Sequence, residues 1–155
     1  MATGERLLAW APLVTGGWVA GTRDALYLHD ARLPWEQVQE ADWDRDQSRL
    51  RVSEVGIWGR PRPVHELDVP DTAAQDTDRL LQLLRERVTA SVLLTRHVPI
   101  TGRRGVRVVA RRAPSGRSEV TWIYEYDEGV DPDDPFVRAA AETALAAAKA
   151  DIGMT

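Results

Sequence analysis

The sequence contains no cysteine, one phenylalanine and one lysine among its 155 residues. The absence of cysteine excludes disulfide bonds, a thiol nucleophile and thiolate metal ligands. No apolar run approaches the roughly 18 residues that a membrane-spanning helix requires, and the N-terminus has no basic stretch of the kind that opens a signal peptide. A soluble, cytoplasmic protein is therefore expected.

The composition is that of a globular chain. Hydrophobic residues make up 43% of the sequence and charged residues 28%, with a net charge of −4. These values exclude a wholly disordered chain, a coiled coil and a collagen-like repeat. A chain of this length buries about 68–70% of its unfolded surface, so its stability requires no metal, and no cofactor is predicted.

Two biases in residue usage affect the interpretation. Arginine supplies 19 of the 20 basic residues. This ratio is typical of GC-rich bacterial coding sequences, so a cluster of arginines is weak evidence of function. Five of the six tryptophans lie in the first 60 residues, which predicts a small core built from a few large rings, as in a compact β-barrel.

The first 70 residues show the alternation of short strands. Strands are predicted at about 5–11, 18–22, 25–29, 33–43, 49–55 and 64–69. Strands repeated every 8–12 residues indicate an antiparallel barrel or sandwich.

The hydrophobic period changes to about 3.6 after Pro70. This predicts a helix near 72–88, capped by Asp71 or Thr72. Its expected buried face consists of Leu80, Leu81, Leu84 and Val88, with Leu83 on the border. Residues 90–98 alternate as a strand would, although a helix continued to His97 and ended by Pro99 is an alternative.

The last third of the chain contains the clearest hairpin. Residues 106–111 are joined to 119–126 through a loop centred near Ser115. This centring predicts three cross-strand pairs: Val108 with Trp122, Val106 with Tyr124, and Arg111 with Glu119.

A final helix follows the hairpin. Asp133 or Asp134 is the expected cap, Pro135 takes the first helical position, and the helix extends to about Asp151. Its stripe of small residues is expected to pack over the aromatic row formed by Trp122, Tyr124 and Tyr126. The predicted buried stripe is Phe136, Ala140, Ala144 (or Thr143), Ala147 and Ile152.

Several segments together resemble bacterial pleckstrin-homology-like and GRAM-type domains. They are 4–9, 17–26, the stretch Arg32-Leu33-Pro34-Trp35-Glu36-Gln37-Val38, and the leucine-rich helix around 80–84. The resemblance covers about the first 90 residues, and the whole chain is also similar to small proteins common in actinobacteria. It implies an α+β fold: an antiparallel β-barrel or half-barrel with a closing helix, followed by a β-hairpin and a C-terminal helix.

The resemblance also implies domain organisation and a class of function. Residues 1–90 are expected to form the pleckstrin-homology-like part, with 91–155 packed on it as one unit. Such domains bind ligands rather than catalyse reactions. The first hairpin loop, 12–17, has none of the basic residues that lipid-binding relatives place there, which argues against phosphoinositide recognition.

No residue set matches the chemistry of a known catalytic or metal site. His29, His65 and His97 lack metal-ligand spacing, and no Gly-x-Ser-x-Gly, Walker A or Gly-x-Gly-x-x-Gly pattern occurs. The acidic run at 127–134 does not have the spacing of an EF-hand loop and is better explained as the start of a helix. We therefore assign no catalytic, cofactor or metal residue.

One segment departs from the charge of the rest. Residues 85–117 have a net charge of +8, against −5 for 1–84 and −7 for 119–151. Four arginines are the candidate anion-binding residues: Arg103, Arg104, Arg107 and Arg112. An acidic protein or a lipid head-group surface is the expected ligand, and the alternative is that these arginines form a solvated strand face neutralised by the acidic flanks. Nucleic acid is disfavoured because no aromatic residue is interleaved with these arginines, and peripheral membrane contact is left open.

The predicted function is a non-enzymatic binding or scaffold module. Two alternatives stay open at this point: an enzyme with an unfamiliar site built from Asp, Glu, His and Arg, and a protein that self-associates as a structural homo-oligomer.

Overall fold

The computed structural model describes residues 4–28, 31–56, 62–116 and 119–153. Within these ranges the strands are β1 (Ala9–Pro12), β2 (Trp18–Gly21), β3 (Ala25–Leu28), β4 (Ala31–Pro34), β5 (Val38–Asp44), β6 (Arg49–Glu54), β7 (Val64–Asp68), β8 (Val92–Thr101), β9 (Arg104–Arg111) and β10 (Thr121–Tyr126). The helices are α1 (Ala74–Ala90) and α2 (Pro135–Asp151), with 3₁₀ turns at Trp35–Gln37 and Asp71–Ala73. All strand pairs are antiparallel, so the predicted α+β class is confirmed.

The chain divides into two compact units. The first comprises the chain up to Ser91 together with Arg112–Glu119, and the second comprises Val92–Arg111 and the chain from Val120 onward. The first unit thus contains β1–β7 and α1, and the second contains β8–β10 and α2. Among the described residues, no helix is both long enough and apolar enough to cross a membrane.

The first unit contains two separate sheets, in the strand orders β1-β2-β3-β4 and β5-β6-β7. The described strands do not close into a barrel, so the closed form of the predicted barrel is wrong. A single apolar cluster lies between these sheets and α1, and its largest buried side chains are Trp35, Leu26, Leu28, Leu50, Leu67 and Leu80.

The strand predicted from Leu33 to Trp43 is interrupted. The structure forms β4 and β5 there, with a 3₁₀ turn between them. Pro34 ends β4 because proline fixes φ and has no N–H for the strand ladder. Trp35 and Val38 are then both fully buried although they are three residues apart, which strict alternation does not predict.

Helix α1 begins without the side-chain cap that was expected at Asp71 or Thr72. These two residues lie in the preceding 3₁₀ turn, and the cap position is Ala73. The Thr77 hydroxyl donates a hydrogen bond to the Ala73 carbonyl over 2.8 Å instead. The buried leucines are Leu80, Leu83 and Leu84, whereas Leu81 and Val88 are half-buried. Leu83 thus belongs to the buried face and not to its border.

The segment after α1 is a strand, as its alternation predicted, and the helical alternative is wrong. Ser91 ends the helix, with its hydroxyl donating to the Val88 carbonyl. Strand β8 then continues through Pro99 to Thr101. It lies at the edge of the sheet β10-β9-β8, where a proline can be tolerated without breaking a central ladder.

The hairpin of β9 and β10 forms with a register different from the predicted one. Val108 lies opposite Tyr124, and Arg111 lies opposite Thr121 rather than Glu119. All three predicted pairs are wrong by two residues, because the connection is longer and its centre falls at Gly116 instead of Ser115. A shift of two residues keeps every side chain on its face. The aromatic row therefore still packs under α2, as predicted.

Helix α2 has the predicted start but a different buried stripe. The Asp134 carboxylate accepts a hydrogen bond from the Phe136 N–H over 2.8 Å, and Pro135 follows the cap. Phe136 itself is 70% exposed, so its predicted burial is wrong. The predicted burial of Ala144 is confirmed, whereas the other buried residues lie one position after the predicted ones: Val137, Ala141 and Ala148. The mostly small side chains let the helix lie close to the aromatic row.

Strand pairing at Gly105 depends on the absence of a side chain. A Cβ at this position would overlap the Val98 carbonyl and lie 2.7 Å from the Pro99 Cα. Both are backbone atoms of the neighbouring strand, so they can move only if the strand moves. At Gly21, by contrast, the closest atom to an added Cβ is the flexible tip of Leu83, at 2.6 Å.

We expect Gly105→Ala to destabilise the protein by about 3 kcal/mol and Gly21→Ala by about 1 kcal/mol. The backbone clash accounts for the larger value, and rotation of the Leu83 side chain accounts for the smaller one. Urea denaturation of the two variants and the parent protein measures both. Equal losses in the two variants would contradict the assigned pairing of β8 with β9.

Candidate functional site

Three of the four predicted arginines lie on or next to the first four residues of β9. Arg103 lies in the turn between β8 and β9, and Arg104 is the first residue of β9; both are exposed. Arg107 is on the same strand and forms an ion pair with Glu125 at 3.5 Å. Arg112 comes after the opposite end of β9, which is about 23 Å from Arg104 along the extended strand.

Arg112 also belongs to the first unit, where its N–H donates to the Ser91 carbonyl over 2.9 Å. The neighbouring Arg111 is buried, and burial lowers the pKa of its guanidinium, an effect that the Glu125 carboxylate partly offsets. The structural role predicted for Arg111 thus includes burial on β9, where the strand register places it opposite Thr121.

Each described histidine is paired with its own carboxylate. His65 Nε2 lies 2.6 Å from Glu54 Oε2, and His97 Nε2 lies 2.7 Å from Asp127 Oδ2; His29 lies outside the described residues. No group of three or more potential metal-ligating side chains converges in the described part of the chain.

The carboxylates of the acidic run at 127–134 accept hydrogen bonds in the segment that follows β10. Asp127 Oδ2 accepts a hydrogen bond from the Gly105 N–H over 2.8 Å in addition to its contact with His97. These two interactions, that with His97 foremost, hold the pKa of Asp127 below its ordinary value of 3.8. Asp131 accepts from the Asp133 N–H in the following turn. These carboxylates thus form hydrogen bonds within turns and at the start of α2.

A different surface stands out in the first unit, on the hairpin of β1 and β2. No charged residue occurs from Leu7 to Thr22, and we call this segment the apolar hairpin. Its outward side chains are large: Leu8 is 49% exposed, Trp10 36%, Val14 65% and Trp18 58%. The rings of Trp10 and Trp18 meet edge to face, with centroids 4.6 Å apart.

The backbone of the apolar hairpin fixes which side chains point outward. Ala9, Ala11 and Val19 are buried on the inner face, so the alternate residues on β1 must face away from the core. The turn uses Gly16 and Gly17, both at positive φ. Alternation of small inward residues with large outward residues is visible in the sequence of β1, where it predicts a strand but does not by itself identify a binding surface.

The charged residues at the base of the apolar hairpin neutralise one another. The Glu5 carboxylate, only 7% exposed, pairs with Arg32 at 3.0 Å and accepts a hydrogen bond from the Thr22 hydroxyl over 3.0 Å. Tyr27 also donates its hydroxyl to this carboxylate. The hydrogen bond to Glu5 raises the pKa of Arg32. Glu5 thus adds little negative potential to the hairpin surface.

A groove of about 840 Å³ runs between β5 and α1, and we call it the β5–α1 groove. Ala41 and Trp43 of β5, with Leu81 and Val88 of α1, give it an apolar surface. Its other lining residues are polar or charged, apart from Leu84: Gln39, Glu40, Asp42, Arg45, Asp78, Gln82, Arg85 and Thr89. Sequence reasoning missed this groove, because it is formed by two elements about 40 residues apart.

Comparison of the chain with protein-family models, with curated proteins and with solved structures finds no match.

We expect Asp127→Asn to lower stability at neutral pH, and the difference from the parent protein to shrink as the pH falls below about 4. A carboxylate with a lowered folded pKa stabilises the fold fully above its ordinary pKa and loses this contribution as the pH falls through the folded pKa. Urea denaturation from about pH 7 to about pH 3 measures it.

The exposed neighbour Glu128 supplies the control, and Glu128→Gln should leave the pH dependence of the parent protein unchanged. A stability difference for Asp127→Asn that stays constant over the whole pH range would contradict the assigned hydrogen bonds.

Proposed function

We propose that this protein is a non-enzymatic binding module that docks on a membrane surface through its apolar hairpin. The observation that carries this proposal is the exposure of two contacting tryptophans, Trp10 and Trp18, together with Leu8 and Val14 in a segment without charged residues. A contiguous exposed apolar patch of this kind typically marks a contact surface.

The chemistry of the apolar hairpin favours a bilayer over a protein partner. Tryptophan has an apolar ring and a polar N–H, and it concentrates at the boundary between lipid headgroups and acyl chains. Protein interfaces need about one hydrogen bond per 100–200 Å², and apart from the indole N–H groups this face has few polar side chains to supply them. A bilayer imposes no such directional requirement.

Charge supports the same conclusion. The protein has a net charge of −4, so the chain as a whole has no net attraction to anionic lipids. The apolar hairpin has no acidic residue, and the exposed Arg6 and Arg23 stand directly at its two ends. Exposed Asp24, next to Arg23, offsets part of that positive charge. The apolar hairpin itself therefore adds little repulsion when it approaches an anionic membrane.

The order of elements in the first unit supports the pleckstrin-homology-like assignment, which we propose as its fold. A four-stranded sheet, a three-stranded sheet and then a helix would make the expected half-barrel with a closing helix. Because loop 12–17 contains no base, we propose that the hairpin inserts by its apolar side chains and does not bind a phosphorylated headgroup.

We expect the full chain to float with vesicles of phosphatidylcholine and phosphatidylglycerol, and the double variant Val14→Ser with Trp18→Ser to bind at least about tenfold more weakly. Each removed side chain loses the free energy of burial in the interface, and about 1.4 kcal/mol corresponds to a factor of ten. Vesicle flotation over a range of lipid concentrations measures the partition coefficient.

Phe136→Ser is the matched control, because Phe136 is also highly exposed but lies in the second unit. It should leave partitioning unchanged. The proposal fails if the parent chain does not float, or if the control loses as much binding as the hairpin variant. Concentration-dependent dimerisation that the hairpin variant abolishes, without lipid binding, would instead assign this face to a second copy of the chain.

A second candidate function is contact with an acidic protein through the tip of the β8–β9 hairpin. Exposed Arg103 and Arg104 support it, and Arg107 supports it less because Glu125 already pairs with it. Arg112 lies beyond the far end of β9 and is no longer part of this surface.

We expect Arg103→Ser with Arg104→Ser to reduce binding of polyglutamate, used as a model acidic chain, with little change in melting temperature. Exposed arginines contribute roughly 0.5 kcal/mol or less to stability, and their attraction is screened by salt. Anisotropy of labelled polyglutamate at two salt concentrations measures this, with Arg138→Ser as the control. Unchanged binding in the double variant would exclude this surface.

A further inference from the structure

We infer that the β5–α1 groove binds an extended peptide in which basic and apolar side chains alternate, and that this peptide adds to the sheet as a strand beside β5. The site is separate from the apolar hairpin, so its test does not depend on membrane binding. Four features of the first unit support the inference.

The first feature is that β5 is an edge strand. The sheet order is β5-β6-β7, and among the described strands only β6 pairs with β5. Edge strands recruit extended peptides through main-chain hydrogen bonds, and adjacent pockets select the side chains. The groove volume of about 840 Å³ falls within the range of about 300–1,000 Å³ that ligand sites occupy.

The second feature is the alternation of side chains on β5. Glu40, Asp42 and Asp44 are exposed on one face of the strand, whereas Ala41 and Trp43 are half-buried on the other. Helix α1 adds half-buried Leu81 and Val88 to the apolar side of the groove. A strand lying beside β5 thus meets carboxylates on one face and apolar side chains on the other.

The third feature is the sequence of β6, the strand that pairs with β5 in the sheet. On β6, Arg51 lies opposite Asp42 and Arg49 lies opposite Asp44. Leu50 lies opposite Trp43, and Val52 lies opposite Ala41. Basic and apolar residues therefore alternate along β6. Opposite charges and apolar pairs are the favourable cross-strand combinations. A strand on the outer side of β5 meets the same β5 side chains.

The fourth feature is the unfavourable charge of the other candidate occupants. A second copy pairing through its own β5 would bring one row of three carboxylates against another, which repel each other. A nucleic acid would meet the same carboxylates with its phosphates. Arg45 and Arg85 also line the groove, Arg45 beyond the end of β5 and Arg85 on α1, so acidic residues predominate along β5 itself.

The probe for this site is a short fluorescein-labelled peptide in which arginine and valine alternate. The reference peptide has the same composition with its arginines in one block and its valines in another. We expect the full chain to bind the alternating peptide saturably and at least about tenfold more tightly than the block peptide. Fluorescence anisotropy measures both affinities, and amide hydrogen exchange should slow in β5.

Charge reversal on β5 tests the role of the carboxylates. Asp42→Lys should weaken binding of the alternating peptide by about tenfold and the milder Asp42→Asn by a smaller factor. Asp46→Lys is the matched control, because Asp46 is an exposed acid in the following turn that does not line the groove. Melting temperatures report whether each variant is folded.

Leu81→Ser tests the opposite wall of the groove without altering β5, and it should also weaken binding. Equal affinity for the two peptides, or equal losses in Asp42→Lys and Asp46→Lys, would overturn the proposal in favour of unspecific attraction between charges. Exchange protection confined to strands other than β5 would overturn it as well.

Discussion

The indole of Trp35 joins parts of the first unit that strand pairing leaves separate. It lies in the turn between the two sheets and is fully buried, and its N–H donates to the Thr22 carbonyl over 2.9 Å. Its ring is 3.5 Å from the point where Gly21 would place a Cβ, and Leu83 of α1 reaches the same point. The corner between the sheets, the end of β2 and the helix thus share one packing point. Burying the indole costs little because its one polar group is paired.

The exposure of the apolar hairpin follows from this arrangement. Helix α1 packs against β1, and the inner face of β1 presents only Ala9 and Ala11, whose small side chains let the helix approach. A large side chain therefore does not fit at the inward positions of β1. Leu8 and Trp10 are left outside because the space beneath the strand is already occupied. Packing of the core thus determines which surface is available for binding.

Alternation and helical periodicity were enough to predict most elements, including β8 and the aromatic row beneath α2. These two patterns did not predict the features that depend on tertiary contacts. Pro34 and Trp35 break one predicted strand into two, and Phe136 is exposed because α2 uses Val137 and alanines to approach the sheet. Of the candidate arginines, Arg107 and Arg112 lie within the predicted hairpin, whereas Arg103 and Arg104 lie at the turn between β8 and β9. The groove could not be found from sequence, since its walls meet only after folding. The charge density of the sequence also does not predict that Arg107 forms an ion pair with Glu125.

The acidic row on β5 also serves the folded chain itself. An exposed edge strand can pair with the same edge of another copy and start aggregation, and natural proteins prevent this with charged side chains on the edge. Glu40, Asp42 and Asp44 are such charges, and they leave the main chain of β5 in an extended form. Protection of this kind is selective. Carboxylates repel an identical strand but attract a basic one. The same row can therefore exclude self-association while Glu40 and Asp42, which line the groove, define the peptide that the groove accepts.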